Sequence, residues 1–388
     1  MIPVRYNIRS LAVRRATTAA TALGIALVVF VLASAMMLTA GIKKTLSSSG
    51  RSDNAIVLRK GSNAELGSVI EDPSVNIITA QPGVKKDGTT AIAVGEVIVV
   101  AALEKIGAAG ITNVQFRGVP DNAMKFRTDM KMLEGTTPRP GSAEVMIGTR
   151  IRGRFKGLEL GQSFDLKKNR PVTVVGVFSD GGSSYESEVW VDRDTLKSAY
   201  GREGIVSSVR VRLESPTAFD GFKASIEGDK ALGFDAMRET EYFEKQSEGT
   251  SMLVGGLGTL ISLFFSIGAM IGAMITMYAA VANRQREIGT LRALGFSRGS
   301  ILFSFLLESL ALAMLGGIAG VAASLGMGLV KFSMMNFSSW SEIVFSFDPT
   351  PKIILTALMF AAGMGLLGGF FPAVRAARIS PVTAMRGG

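Results

Sequence analysis

The stretch "NRQREIGTLRALGFSRGS", Asn283–Ser300, lies between two long apolar runs and carries four arginines and one glutamate. Read as about five turns of helix, it keeps Ile288, Leu291 and Leu294 three residues apart as a narrow apolar stripe. Arg284, Glu287 and Arg298 point elsewhere on that reading. A stripe with charged flanks suits two settings. One is a groove on a partner protein. The other is the headgroup layer, where arginines beside anionic lipid are favourable.

Four windows contain no Asp, Glu, Lys or Arg: Ala16–Ile42, Gly249–Asn283, Ser309–Val330 and Ile353–Val374. Each is long enough to cross roughly 30 Å of hydrocarbon at about 1.5 Å per helical residue. A mean hydropathy of +0.34 and a hydrophobic content of 47% agree with a membrane protein. The net charge of +10 is confined to three short segments beside these windows. They hold Arg5, Arg9, Arg14 and Arg15; then Arg284, Arg286, Arg292 and Arg298 with Glu287; then Arg375, Arg378 and Arg386. The remaining 31 basic residues meet 31 acidic ones. That distribution follows the positive-inside rule, whereas a nucleic-acid binder spreads Lys and Arg over a folded face; no nucleic-acid partner is expected.

The clusters set a topology and a fold class: an α-helical membrane protein with four transmembrane helices, one plus three, and a large extracytoplasmic α+β domain. The expected organisation is a cytoplasmic segment over 1–16, a first span over 17–42 and an outer domain over 43–248. A second span over 249–282 and a cytoplasmic loop with a coupling helix over 283–300 follow. A third span over 301–330, a short outer loop over 331–352, a fourth span over 353–374 and a cytoplasmic tail over 375–388 complete the chain. The basic start, the apolar run and Ala33-Ser34-Ala35 also fit a cleavable signal. The run is longer than the usual signal core and cleavage would break the even span count, so an uncleaved anchor is expected.

Cysteine and histidine are both absent, which excludes a disulfide framework, a thiolate or imidazole catalyst and the usual zinc sites. The outer segment reads as short strands at Ala55–Arg59, Val75–Thr79, Glu96–Val100, Asn113–Val119, Glu144–Ile147, Val172–Phe178, Glu188–Val191 and Ser208–Leu213. Turns fall at Asp87-Gly88, Pro138–Gly141 and Asp180–Gly182, and helices at Gly148–Phe155, Asp192–Tyr200 and Thr217–Glu227. The polar Thr240–Glu248 extends the second span outward as a helical stalk, and Ile42–Leu46 does the same for the first. Three Gly-x-x-x-Gly pairs, Gly268/Gly272, Gly316/Gly320 and Gly365/Gly369, allow close helix contacts, within one subunit or at a dimer seam.

Glu287 to Gly295, read "EIGTLRALG", followed by Ser297 and by an Ile opening a new span with Glu308 inside it, resembles the cytoplasmic loop of the FtsX-like permeases. These are the membrane subunits of the MacB, LolC/LolE and FtsX group of ABC systems. Pro372–Arg378 and Pro381–Arg386 resemble that group's C-terminal signature, and Thr21–Ile25 its first-span start. Val145–Gly157 and Val172–Ser179, with Gly161 between, are similar to its outer core. The likeness covers essentially the whole chain.

The resemblance implies that the loop forms a coupling helix seated on an ATPase subunit. Its contact residues would be Arg286, Glu287, Ile288, Gly289, Leu291, Arg292, Leu294 and Gly295, with Glu308 as a candidate for gating. The other reading of Glu308 is a carboxylate near the headgroups capped by arginines of the loop. No Gly-x-x-x-x-Gly-Lys-Ser/Thr phosphate loop occurs. The chain is therefore expected not to be an enzyme, with ATP and Mg bound by a separate ABC ATPase, unlike MacB itself, where the ATPase is fused ahead of the permease.

Other partners implied are a second permease copy or close paralogue, membrane lipid, and a periplasmic adaptor with an outer-membrane channel. The function implied is MacB-type export of periplasmic cargo from the bacterial inner membrane, by mechanotransmission. The alternatives are a LolC/LolE-like lipoprotein-releasing permease and an FtsX-like regulator of cell-wall hydrolases, although FtsX outer domains are usually much smaller. A receptor without any ATPase is the rival from another class. Glu186, Glu188, Asp192 and Asp194 raise a calcium site against a structural reading in which Asp192 or Asp194 caps a helix. No catalytic, cofactor-binding or metal residue is assigned.

Overall fold

The computed structural model describes residues 15–107, 110–229 and 232–381. Most of the 1–16 segment, with Arg5, Arg9 and Arg14, and the end of the C-terminal signature, with Arg386, lie outside the described residues. The chain divides into two compact units: one made of residues up to Ala40, Met252–Val330 and from Phe347 onward, the other of Gly41–Ser251 and Lys331–Ser346.

Among the described residues, four helices are long and apolar enough to cross a membrane. The first is α1 (Arg15–Ser47), and no acid or base falls between Arg15 and Lys43 within it. In the outer unit the first strand, β1 (Asn54–Arg59), is followed by α2 (Asp72–Thr79). The reading of Val75–Thr79 as a strand is therefore corrected. Pro73 sits in the first helical turn, where its missing N–H costs nothing, and Val75 and Ile78, three apart, turn inward while Ile77 is exposed. Burial at a spacing of three outweighs the β-branched composition.

Next come β2 (Ala93–Glu104), β3 (Ile111–Val119), β4 (Lys131–Gly135) and β5 (Glu144–Gly148). After β5 the expected helix over Gly148–Phe155 is instead a run of turns, with Ile151 N donating to Gly148 O and Arg154 N to Ile151 O. Gly153 has φ +69°, outside the helical region, and a Cβ at Gly148 would collide with the backbone of Glu186. Then follow β6 (Ser163–Lys167), β7 (Arg170–Ser179), β8 (Glu188–Asp192), α3 (Arg193–Tyr200), β9 (Ser208–Arg212), α4 (Phe219–Gly228) and β10 (Phe234–Arg238).

These strands form one ten-stranded sheet in the order β10-β1-β9-β2-β3-β8-β5-β7-β4, with β6 paired to β7. The sheet is mixed: β7 and β5 run parallel, as do β8 and β3, and the other pairs are antiparallel. The apolar core of this unit includes Val57, Val97, Phe116, Val145, Val174, Val191 and Phe222. Crossover connections with helices over a mixed sheet make this an α+β domain.

The second long helix, α5 (Glu239–Asn283), has 45 residues, roughly 68 Å of continuous helix. The short α6 (Gln285–Ala293) precedes α7 (Arg298–Leu325), and α8 (Pro351–Ala377) is the last. Between α7 and α8, where a short outer loop over 331–352 was expected, the chain forms a hairpin of β11 (Lys331–Asn336) and β12 (Ser341–Ser346) that belongs to the outer unit.

Small residues set the spacing of the long helices. A Cβ on Gly316 would lie 2.6 Å from the Ala22 carbonyl oxygen of α1. Gly320 meets the Ala26 carbonyl in the same way, and Gly365 and Gly369 meet Ser309. Two of the three glycine pairs thus serve contacts within the chain, while Gly268 and Gly272 face open space.

Candidate functional site

The charged stretch folds as a helix between two breaks. α5 stops at Asn283, and Arg284 (φ −116°, ψ 18°) turns the chain into α6. At the far end Leu294 is the C-cap and Gly295 takes φ +93°. Gly295 N donates to Arg292 O at 3.1 Å and Phe296 N to Leu291 O at 3.2 Å. This pair of bonds is a Schellman motif, and its left-handed position is why a glycine stands at 295. Ser297 then caps α7 by accepting from Ser300 N at 3.2 Å.

The apolar stripe is divided by this geometry. Ile288 is 2% exposed and packs with Met277, Val281, Ile301, Phe305, Ala373, Ala376 and Ala377, with Leu291 half-buried against the same cluster. Gly289 is buried and Arg292 half-buried. Leu294 lies past the last helical residue and is 73% exposed, and Arg286, Glu287 and Gly295 are exposed as well. Ile288, expected as a contact residue, is turned into its own helices, and Leu291 is half-buried beside it. The outward surface is Arg286, Glu287, Thr290, Ala293 and Leu294.

Arg284 also turns inward. It is 6% exposed, and its Nη1 donates to Glu308 Oε2 at 2.9 Å while its Nε reaches Glu287 Oε2 at 3.2 Å. The guanidinium lies 5.4 Å from the centre of the Phe305 ring. Glu308 is therefore capped by an arginine of the loop. A lone acid in an apolar helix demands such a partner, and that demand was the available signal.

The outer unit contains a second constellation that sequence reasoning missed. Arg117, Arg127 and Arg210 are buried with Glu65, Glu96, Glu188 and Glu239. Arg117 bonds Glu188 at 2.7 Å, Glu96 at 2.7 Å and Glu65 at 3.1 Å. Arg210 bonds Glu96 at 2.6 Å, Glu65 at 2.7 Å and Glu239 at 2.9 Å. Arg127 bonds Glu96 at 2.6 Å. Burial alone would favour the neutral acids, but the arginines reverse this: Glu65 is held well below its ordinary value and Glu96 at about 2. Tyr185 and Tyr242 are pushed up by burial.

Glu239 is the first residue of α5, and its carboxylate also accepts from Asn54 Nδ2 at 2.8 Å and Arg51 N at 3.2 Å. The start of the long helix is thus bound to strands β1 and β9. One trace in the sequence existed: in "SVRVR", Ser208–Arg212, arginines alternate with valines inside a strand, and the structure buries every position.

The four acids considered for calcium are spread over separate tasks. Glu186 pairs with Arg150 at 3.2 Å, Glu188 belongs to the buried cluster, Asp194 pairs with Arg193, and Asp192 caps α3 by accepting from Thr195 N at 2.9 Å.

Two family models match the chain. "FtsX-like permease C-terminal" matches residues 259–381, and "MacB-like periplasmic core domain" matches residues 18–228. Among curated proteins, a macrolide export ATP-binding/permease protein MacB 1 of Aeromonas hydrophila is 29% identical over 257 residues, 62% of this chain and 38% of that protein. The ABC transporter permease YknZ of Bacillus subtilis is 28% identical over 228 residues, 56% of this chain and 54% of that one. The chain thus spans between about a third and just over half the length of such relatives. Among solved structures, the periplasmic region of MacB from Actinobacillus actinomycetemcomitans aligns over 49% of this chain and 90% of its own, at 14% identity and a TM-score of 0.37. The extracellular domain of YknZ aligns over 47% and 99%, at 18% and 0.35.

Proposed function

Because the chain belongs to the MacB/FtsX-type ABC permeases, we propose that it carries ATP-driven motion from a separate ATPase, through α6 and the long helix α5, to its outer domain. The observation that supports this reading is α5 itself. It is one helix from Glu239, fixed in the buried ionic cluster, to Asn283, next to α6 with its exposed Leu294. A continuous helix transmits displacement without the slack of a flexible linker.

In this reading Arg286, Glu287 and Leu294 meet the ATPase directly. Ile288, Gly289, Leu291, Arg292 and Gly295 give α6 its shape, and the Arg284–Glu308 pair holds its angle, a gating role for Glu308. ATP and Mg are bound by the partner. The protein sits in the bacterial inner membrane with its large domain on the periplasmic side, works with a second permease copy, and exports periplasmic cargo with an adaptor and outer-membrane channel.

The test is reconstitution in lipid discs with a separate MacB-type ABC ATPase subunit from the same organism. The expected result is a stable complex whose ATP hydrolysis exceeds that of the ATPase alone, with α6 seated on the ATPase in a cryo-EM map. A map with α6 bare, or an ATPase indifferent to this chain, overturns the proposal.

A further inference from the structure

The expected outer loop is a hairpin with a buried attachment. Val344, in the middle of β12, donates its N–H to Ser187 Oγ at 3.1 Å, and its carbonyl accepts from Arg150 Nη1 at 2.5 Å. Glu342, 5% exposed, is held between Arg154 at 2.7 Å and Lys105 at 2.5 Å. Arg154 also reaches Ser333 Oγ of β11 at 2.7 Å.

The end of α1 is attached at the same place. Arg150 Nη1 lies 3.3 Å from Thr45 Oγ1, and Ser49 Oγ accepts from Ser184 N at 2.9 Å. Arg150 is itself fixed: its Nε pairs with Glu186 at 3.2 Å and its backbone N donates to Glu186 O at 3.1 Å. Glu186 in turn accepts from Ser179 Oγ, Asp180 N and Gly182 N. One guanidinium thus touches the last turns of α1, strand β12 and the 184–187 turn.

We propose that Arg150 is a positioning residue that ties α1 and the β11–β12 hairpin to one point of the outer sheet. By sequence the hairpin is the only connection between α7 and α8. Displacement of α1, α7 or α8 therefore reaches the sheet at this turn, separately from the attachment of α5 through Glu239. The tie is a property of the outer unit; its use in delivering motion rests on the coupling function proposed above.

The experiment is hydrogen–deuterium exchange on the full chain in lipid discs, comparing wild type, Arg150→Gln and Glu342→Gln. Removing the guanidinium opens the hairpin locally, so amides of 341–346 exchange about tenfold faster while those of β1 and β9 do not change. Unchanged hairpin exchange in Arg150→Gln overturns the tie, as does an equal rise in β1 and β9 in both variants. In complex with the ATPase, adding ATP alters wild-type exchange at 184–187, and Arg150→Gln loses most of that response with basal hydrolysis intact. A full response in the variant overturns delivery through Arg150. No response in the wild type overturns the coupling function and the delivery role, and leaves the exchange result for the tie standing.

Discussion

Arg284 Nη1 lies 2.9 Å from Glu308 Oε2, with both side chains buried, at the break where α5 becomes α6. Two opposite charges there fix the direction in which α6 leaves. Removing Glu308 takes from the buried Arg284 its buried counter-charge and leaves it Glu287, so the cost lies at or below the about 3–5 kcal/mol of breaking a buried pair, whereas replacing both with apolar residues is often neutral. Glu308→Ala is expected to lower the detergent unfolding midpoint sharply, and Arg284→Met with Glu308→Leu to recover most of it. If the single and double variants unfold alike, the pair does not hold the break.

The division of the apolar stripe separates folding from docking. Ile288→Asp buries a charge among Met277, Phe305 and Ala373, and loss of folded protein is expected, read by size-exclusion yield. Leu294→Asp changes an exposed side chain, so folding should stay within about 0.5 kcal/mol of wild type. Stimulation of the partner ATPase should nonetheless fall at least tenfold. A Leu294→Asp variant that folds and stimulates normally removes Leu294 from the interface.

Much of this architecture was legible because lipid imposes a strict rule: charge-free windows mark the four long helices, and the basic clusters mark their ends. The strands around Val57, Phe116, Val174 and Val191 were legible from composition. Periodicity gave the face shared by Ile288 and Leu291 but not what covers it, since Ala373 and Ala376 come from a helix about 85 residues away. The buried arginines were illegible for the same reason. Arg210 and Glu65 meet across 145 residues, and no local pattern announces such a partner. The hairpin was missed because its two six-residue strands pair with each other and are fixed by residues distant in sequence, Arg150, Arg154 and Ser187.

The outer domain should respond to pH in two opposed ways. Burial raises Asp180 to about 6, against the hydrogen bond from Ser183 and the nearby Arg127 charge. The folded state therefore binds this proton more tightly than the unfolded state, and stability falls as pH rises from about 4 to 6. Glu65 and Glu96 are lowered, so their contribution is present above about pH 4.5 and lost as pH falls toward 2. Asp180→Asn, which keeps the acceptor for Ser183, is expected to stabilise the domain at pH 7.5 by about 2–3 kcal/mol and to leave it unchanged below pH 4. Chemical unfolding followed by the fluorescence of buried Trp190, in a Trp340→Phe background, reads both. A variant no more stable than wild type at pH 7.5 shows that Asp180 is charged at no cost.

The glycine pairs make contrasting demands. Gly316 sits where a Cβ would press on the Ala22 carbonyl and on Ile25, so Gly316→Ala must push α1 from α7 and lose packing along that seam. Gly268 and Gly272 lie beside Gly24 and Leu27 on a cleft of about 380 Å³, and an added methyl meets nothing within the chain. Gly268→Leu should leave the unfolding midpoint of the isolated chain unchanged where Gly316→Ala lowers it. If a second permease copy packs its helices into that cleft, Gly268→Leu converts dimers to monomers by light scattering in detergent, because close approach depends on the missing side chain. A dimer that persists in Gly268→Leu places the seam between copies on another face.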